Sequence, residues 1–103
     1  MEFTTEEMDL LTMMAGKYKK HLINTYEQEL PLPPGVEADL LGDLLKQLDQ
    51  FTDGTLPVER LQLGILETMY ETLVKFDITD ENNPMKTTRS KLLVAMHWAK
   101  KLN

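Results

Sequence analysis

Apolar residues recur at intervals of three and four along four stretches of this chain, and no stretch shows sustained alternation. That period matches one face of an α-helix and leaves nothing for a half-buried strand. Each stretch ends at residues that interrupt helices. The first opens on Phe3-Thr4-Thr5-Glu6-Glu7. Thr4 as N-cap and Glu7 three residues on make a capping box, with Phe3 and Met8 placed for a hydrophobic staple. Met8, Leu11, Ala15, Tyr18, Leu22 and Tyr26 then form a stripe. The stretch Leu30-Pro31-Leu32-Pro33-Pro34-Gly35 stops it, because three prolines lack amide donors and displace their predecessors from the α region.

The second stretch carries a leucine-rich face through Leu40, Leu41, Leu44, Leu45, Leu48 and Phe51. It ends at Asp53-Gly54, which supplies a left-handed position, and Pro57 opens the next element. The third has two apolar stripes. One is Val58, Leu61, Ile65, Met69 and Phe76; the other is Leu63, Leu66, Tyr70 and Leu73. So wide an apolar surface predicts the most buried helix. The fourth has an inner stripe of Leu92, Ala95, Met96, Ala99 and Leu102. Helices are predicted over about 4–29, 36–52, 57–77 and 85–102. With short connections between them, the expectation is an all-α, compact four-helix bundle-like single domain over 1–103.

Charge divides this domain unevenly. Residues 1–84 hold all 17 acidic residues against six basic ones, a net of −11, while 85–103 carry +5 through Lys86, Arg89, Lys91, Lys100 and Lys101. Lysine outnumbers arginine nine to two, which points to the codon usage of an AT-rich bacterium or its phage. There is no cysteine, so disulfides, thiolate nucleophiles and the common structural zinc sites are excluded. The acidic N-terminus lacks the basic start of a signal peptide, and no apolar run approaches membrane-spanning length. A cytoplasmic protein without a membrane association is expected.

The motifs of common chemistries fail in turn. His21 and His97 have no ligand partner one helical turn away, and each reads as an edge residue, His21 beside Met14. The single serine, Ser90, has no glycine-framed elbow. The five glycines are dispersed and form no phosphate loop. The run Asp77–Pro84 holds oxygen donors, but an EF-hand register from Asp77 puts Asn82 and Thr88 where Gly and Glu belong. From Asp80 those places fall to Met85 and Lys91. The run therefore reads as an Asx turn before the fourth helix. Glu67 and Glu71 lie one turn apart, with Asp77 and Asp80 beyond. The paired E-x-x-E and E-x-x-D spacings of all-α magnesium-dependent nucleotide pyrophosphohydrolases are missing, and a Glu71–Lys75 helix pair accounts for the arrangement more simply. Pro31 to Pro34 contain P-x-x-P but have acidic Glu29 where SH3-type ligands have a base. Neither a metal nor a cofactor is expected.

What remains is the fourth helix. Lys91, Val94, Trp98 and Lys101 lie together on a helical wheel, off the inner stripe, and Lys86 and Arg89 extend the cationic character. Helix electrostatics accounts for Lys100 and Lys101 near the C-terminus, but Lys86, Arg89 and Lys91 sit toward the end where cations are disfavoured. The candidate binding residues are thus Lys86, Arg89, Lys91, Trp98 and Lys101, although Trp98 reads first as a core or rim residue that closes the bundle with its ring edge wet. Three roles follow in order. The first is a small non-enzymatic protein-binding module such as an adaptor, assembly factor, immunity protein or inhibitor. The second is an acidic mimic of nucleic acid. The third is direct nucleic-acid binding through the basic helix. A protein partner is expected, and a homodimer is open through the second stripe of the third helix.

Overall fold

The chain begins its first helix where the capping box places it. In the computed structural model, which describes residues 1–34 and 36–102, α1 spans Thr5–Glu27. The Thr4 N–H donates to Glu7 Oε1 at 2.8 Å and the Glu7 N–H donates to Thr4 Oγ1 at 3.1 Å, so two orphan donors are satisfied reciprocally. α2 covers Leu41–Thr52, α3 Leu63–Val74 and α4 Pro84–Leu102. Asn83 caps α4, its Oδ1 accepting from the Met85 N–H at 2.9 Å, and Pro84 takes the first helical position, where its missing N–H costs nothing. The expected Asx turn is present just before it, with the Asn82 N–H donating to Asp80 Oδ1 at 2.9 Å.

α1 and α2 end in the same way. At α2 the Gly54 N–H donates to the Phe51 carbonyl at 3.1 Å and the Thr55 N–H to the Gln50 carbonyl at 2.9 Å, a Schellman motif with Gly54 at φ 79°. At α1 the Glu29 N–H donates to the Tyr26 carbonyl at 3.1 Å and the Leu30 N–H to the Thr25 carbonyl at 3.0 Å. There the left-handed position, φ 55°, is filled by Glu29, so α1 stops at Glu27 and does not reach Glu29 as the apolar pattern suggested.

The described residues form an all-α, four-helix bundle-like domain. α1 lies between α2 and α4, and α3 packs mainly on α4. α1 and α3 touch only lightly, and α2 and α3 scarcely approach each other, so the ring of helices is open on that side. Leu11, Leu22, Leu48, Ile65, Leu66, Leu73 and Leu92 are fully buried around Phe51, and each such side chain contributes about 1.5–3 kcal/mol by leaving water. Both apolar stripes of α3 are used inside the bundle, with Leu63 and Tyr70 half-buried. On α4, Leu92 and Ala95 are buried and Met96 and Ala99 pack against the core; the side chain of Leu102 lies outside the described part. No described helix is long and apolar enough to cross a membrane.

Two predicted helices are interrupted. The third does not run from 57 to 77. Val58–Arg60 make a short 3-10 turn, Leu61 and Gln62 are extended at ψ 145° and 147°, and α3 starts only at Leu63. The break turns Val58 and Leu61 into the core, with the short turn packing on α4, and the freed Gln62 N–H is taken by Gln47 Oε1 of α2 at 3.0 Å. Phe76 falls beyond the end of α3 and is half exposed. The second begins with a 3-10 turn, Ala38–Leu40, whose tighter winding leaves Leu40 half exposed although its sequence pattern is that of the buried face. Tyr26, the last member of the α1 stripe, is also exposed.

The two Schellman ends generate an opposed pair of expectations. A Cβ at Gly54 would meet nothing within 4 Å, so Gly54→Ala carries a backbone cost alone, about 1 kcal/mol. Glu29→Gly relieves the left-handed conformation and stabilises by about 0.5 kcal/mol after the larger unfolded-state entropy of glycine. Urea unfolding of both variants checks the signs.

Candidate functional site

The cations of α4 are held in place by different means. Lys86 Nζ reaches Glu81 Oε1 at 2.6 Å and the Ile78 carbonyl at 3.4 Å, so it ties the first turn of α4 to the segment before it. Lys91 Nζ donates to Glu7 Oε1 at 2.6 Å and lies 5.4 Å from the Phe3 ring centroid. Arg89 is half-buried and in no ion pair among the described residues. At the far end, Trp98 is 55% exposed, with Lys101 Nζ 5.3 Å from its ring centroid and His97 edge-on at 6.2 Å. The five candidate residues therefore do not make one surface. Lys86 and Lys91 are engaged in internal pairs, which explains why cations sit near the unfavourable end of the helix. Trp98 and Lys101 share an outward face with Val94, which is 46% exposed; Leu93, 47% exposed, lies farther round the helix.

Glu7 is 1% exposed, and its Oε1 receives both the Thr4 N–H and Lys91. Burial, which leaves Oε2 without a hydrogen-bond partner among the described residues, pushes this carboxyl upward, but the hydrogen bonds that Oε1 accepts from Lys91 and the Thr4 N–H outweigh it. The result lies at about 2 against the usual 4.5. The Thr87 hydroxyl donates instead to the Pro84 carbonyl at 3.2 Å. Sequence reading found Glu7 as a capping residue. Its second role depends on a residue 84 positions away.

A second feature lies on the open side of the bundle. A cleft of about 760 Å³ runs between α1 and α3, closed at one side by the proline connector. Met14, Leu44 and Met69 form its nearly buried floor, with Tyr18 and Val36 half-buried beside them. Lys17 and His21 stand on the α1 wall; Glu67 and Glu71 stand on the α3 wall. His21 is beside Met14, as its place at the stripe edge suggested. Among the described residues Glu71 makes no ion pair with Lys75, the C-cap residue of α3. No three His, Asp or Glu residues among those described converge as metal ligands would. The sequence carried one unread signal for this cleft: Met14, Lys17, Tyr18 and His21 recur at helical spacing, as do Gly64, Thr68 and Thr72.

No protein family, curated protein or solved structure matches this chain.

The Glu7–Lys91 pair makes two linked predictions. Lys91→Met leaves a buried carboxylate without its cation and destabilises by about 2 kcal/mol, less than the about 3–5 of a fully buried pair, because Lys91 retains 33% side-chain exposure. The double variant Glu7→Gln/Lys91→Met recovers most of the loss, since Gln still completes the capping box. The folded-state pKa of Glu7 is depressed, so its stabilisation is complete above about pH 4.5 and is lost as pH falls toward 2. Unfolding curves of wild type and Glu7→Gln should therefore differ most near neutrality and converge across that window.

Proposed function

We propose that this chain is a small acidic, non-enzymatic protein–protein interaction module, an adaptor, assembly factor, immunity protein or inhibitor of a bacterium or phage, acting in the cytoplasm. The supporting observation is the outward face of α4. Leu93, Val94 and Trp98 are each about half exposed on a helix whose opposite face is packed on α1 and α3. Lys101 Nζ lies over the tryptophan ring, 5.3 Å from its centroid, within reach of a cation–π attraction. A large aromatic flanked by aliphatics and rimmed by lysines has the composition of an interface centre. Its cationic rim favours a partner surface of opposite sign.

Direct nucleic-acid binding through α4 has less support. Lys86 and Lys91 are already paired with Glu81 and Glu7, and the remaining cations face a domain of strongly negative charge.

The test is retention of a protein from nuclease-treated host lysate at rising salt, followed by binding of that purified protein to the purified chain. Trp98→Ala should weaken the reconstituted complex about 30-fold while leaving the helical circular dichroism unchanged. Retention of nucleic acid alone, abolished by nuclease, would reject the reading.

A further inference from the structure

The open side of the bundle raises a separate question. α1 and α3 present stripes to the cleft at the same helical spacing, Met14, Lys17, Tyr18 and His21 facing Gly64, Glu67, Thr68 and Glu71. Each stripe runs two turns, about 10 Å. The floor is apolar, and the two helical rims differ in sign, with Lys17 beside neutral His21 on α1 and Glu67 and Glu71 on α3; Glu37 of the connector lines the cleft as well. Among the described residues Lys17, Glu67 and Glu71 take part in no ion pair, so the rims do not neutralise each other across the gap. On each rim the two polar groups are one helical turn apart, the spacing of i and i+4 on a helix lying along the cleft.

The α3 wall also admits close approach. A Cβ at Gly64 would meet nothing within 4 Å. The Thr68 and Thr72 hydroxyls donate to the carbonyls of Gly64 and Thr68 at 2.8 and 2.9 Å, so they need no further acceptor when covered. Small-molecule sites gather their polar groups around one point in an enclosed cavity. Here the charges are spread along two parallel edges of an open trough, which is the geometry of helix-in-groove recognition.

We propose that this cleft is a docking groove for an amphipathic helix of a partner protein, acidic along the edge facing Lys17 and His21 and basic along the edge facing Glu67 and Glu71. Its apolar face would cover Met14, Tyr18 and Met69 and fill the gap between α2 and α3. The inference rests on the interaction-module reading but uses a surface different from the outward face of α4.

The probe is a set of three synthetic helical peptides of about 15 residues with one leucine face. Their flanks are Glu on one side and Lys on the other, Glu on both, or Lys on both. Because both peptide directions exchange the flanks, this set does not depend on binding orientation. Methyl-labelled methionine supplies the readout, since Met14 and Met69 line the groove and Met13, Met85 and Met96 do not. At about 0.15 M salt, where attraction to the net negative chain is screened, the Glu/Lys peptide should bind about fivefold tighter than either other peptide. It should shift Met14 and Met69 alone. In Glu67→Lys/Glu71→Lys, with both rims basic, the Glu/Glu peptide should become the preferred one.

Equal binding of the three peptides would overturn the proposal, as would shifts confined to Met85 and Met96 of α4. So would concentration-dependent shifts of Met14 and Met69 without peptide, which would assign the groove to a second copy of this chain. A protein partner lost in Trp98→Ala but indifferent to the groove variants would leave the module reading standing and reject the groove. Absence of any protein partner would instead reject the module reading.

Discussion

The ion pair between Glu7 and Lys91 joins residues 84 positions apart and fixes the corner where α4 passes the first turns of α1. Glu7 is committed to α1 by its capping box with Thr4, and its carboxylate is then buried where α4 passes. A buried carboxylate is tolerated only with a cation and hydrogen bonds around it, so Lys91 must lie against the first turns of α1. Phe3 under the lysine closes the same corner. With the two ends of the chain clasped, α1 and α4 form the centre of the domain, α2 packs on the free side of α1 and α3 on the free side of α4.

The gap between α2 and α3 follows from that arrangement and from the interrupted third helix. Had the chain stayed helical from Pro57, Val58 and Leu61 would have continued the stripe of Ile65 and Met69. Instead the 3-10 turn carries them against α4, and α2 reaches the start of α3 through the Gln47–Gln62 hydrogen bond. The cleft is the consequence. It collects Lys17 and His21 from α1 and Glu67 and Glu71 from α3, residues that a closed bundle would have set apart on solvated faces. The outward face of α4 is independent of it, because its exposed residues lie opposite the packed stripe.

Local features were legible because they depend on neighbours within a few residues. The Thr4–Glu7 box, the left-handed Gly54 and the Asx turn before α4 all appear where short-range chemistry puts them. The breaks at Leu61–Gln62 and at Ala38–Leu40 were not legible, since the apolar spacing passes through both without interruption. The early end of α1 was hidden for a similar reason: a glutamate occupies the left-handed position where glycine would have been the signal. The candidate residues on α4 divided along the same line. Trp98 and Lys101 stand exposed together, whereas the engagement of Lys86 and Lys91 depended on partners from other segments.

By itself the sequence determined the class of the fold, the number of its helices and about half of their ends, because hydrophobic period and capping chemistry act over one or two turns. It also determined the charge division between the last helix and the rest. The tertiary structure alone decided which helices are adjacent, that one side of the bundle stays open, and which cations of α4 are held in ion pairs among the described residues. Those outcomes go with placing Glu7 against Lys91 and diverting Val58 and Leu61 beneath α4. Both are contacts between distant segments, and no local pattern encodes where such segments meet.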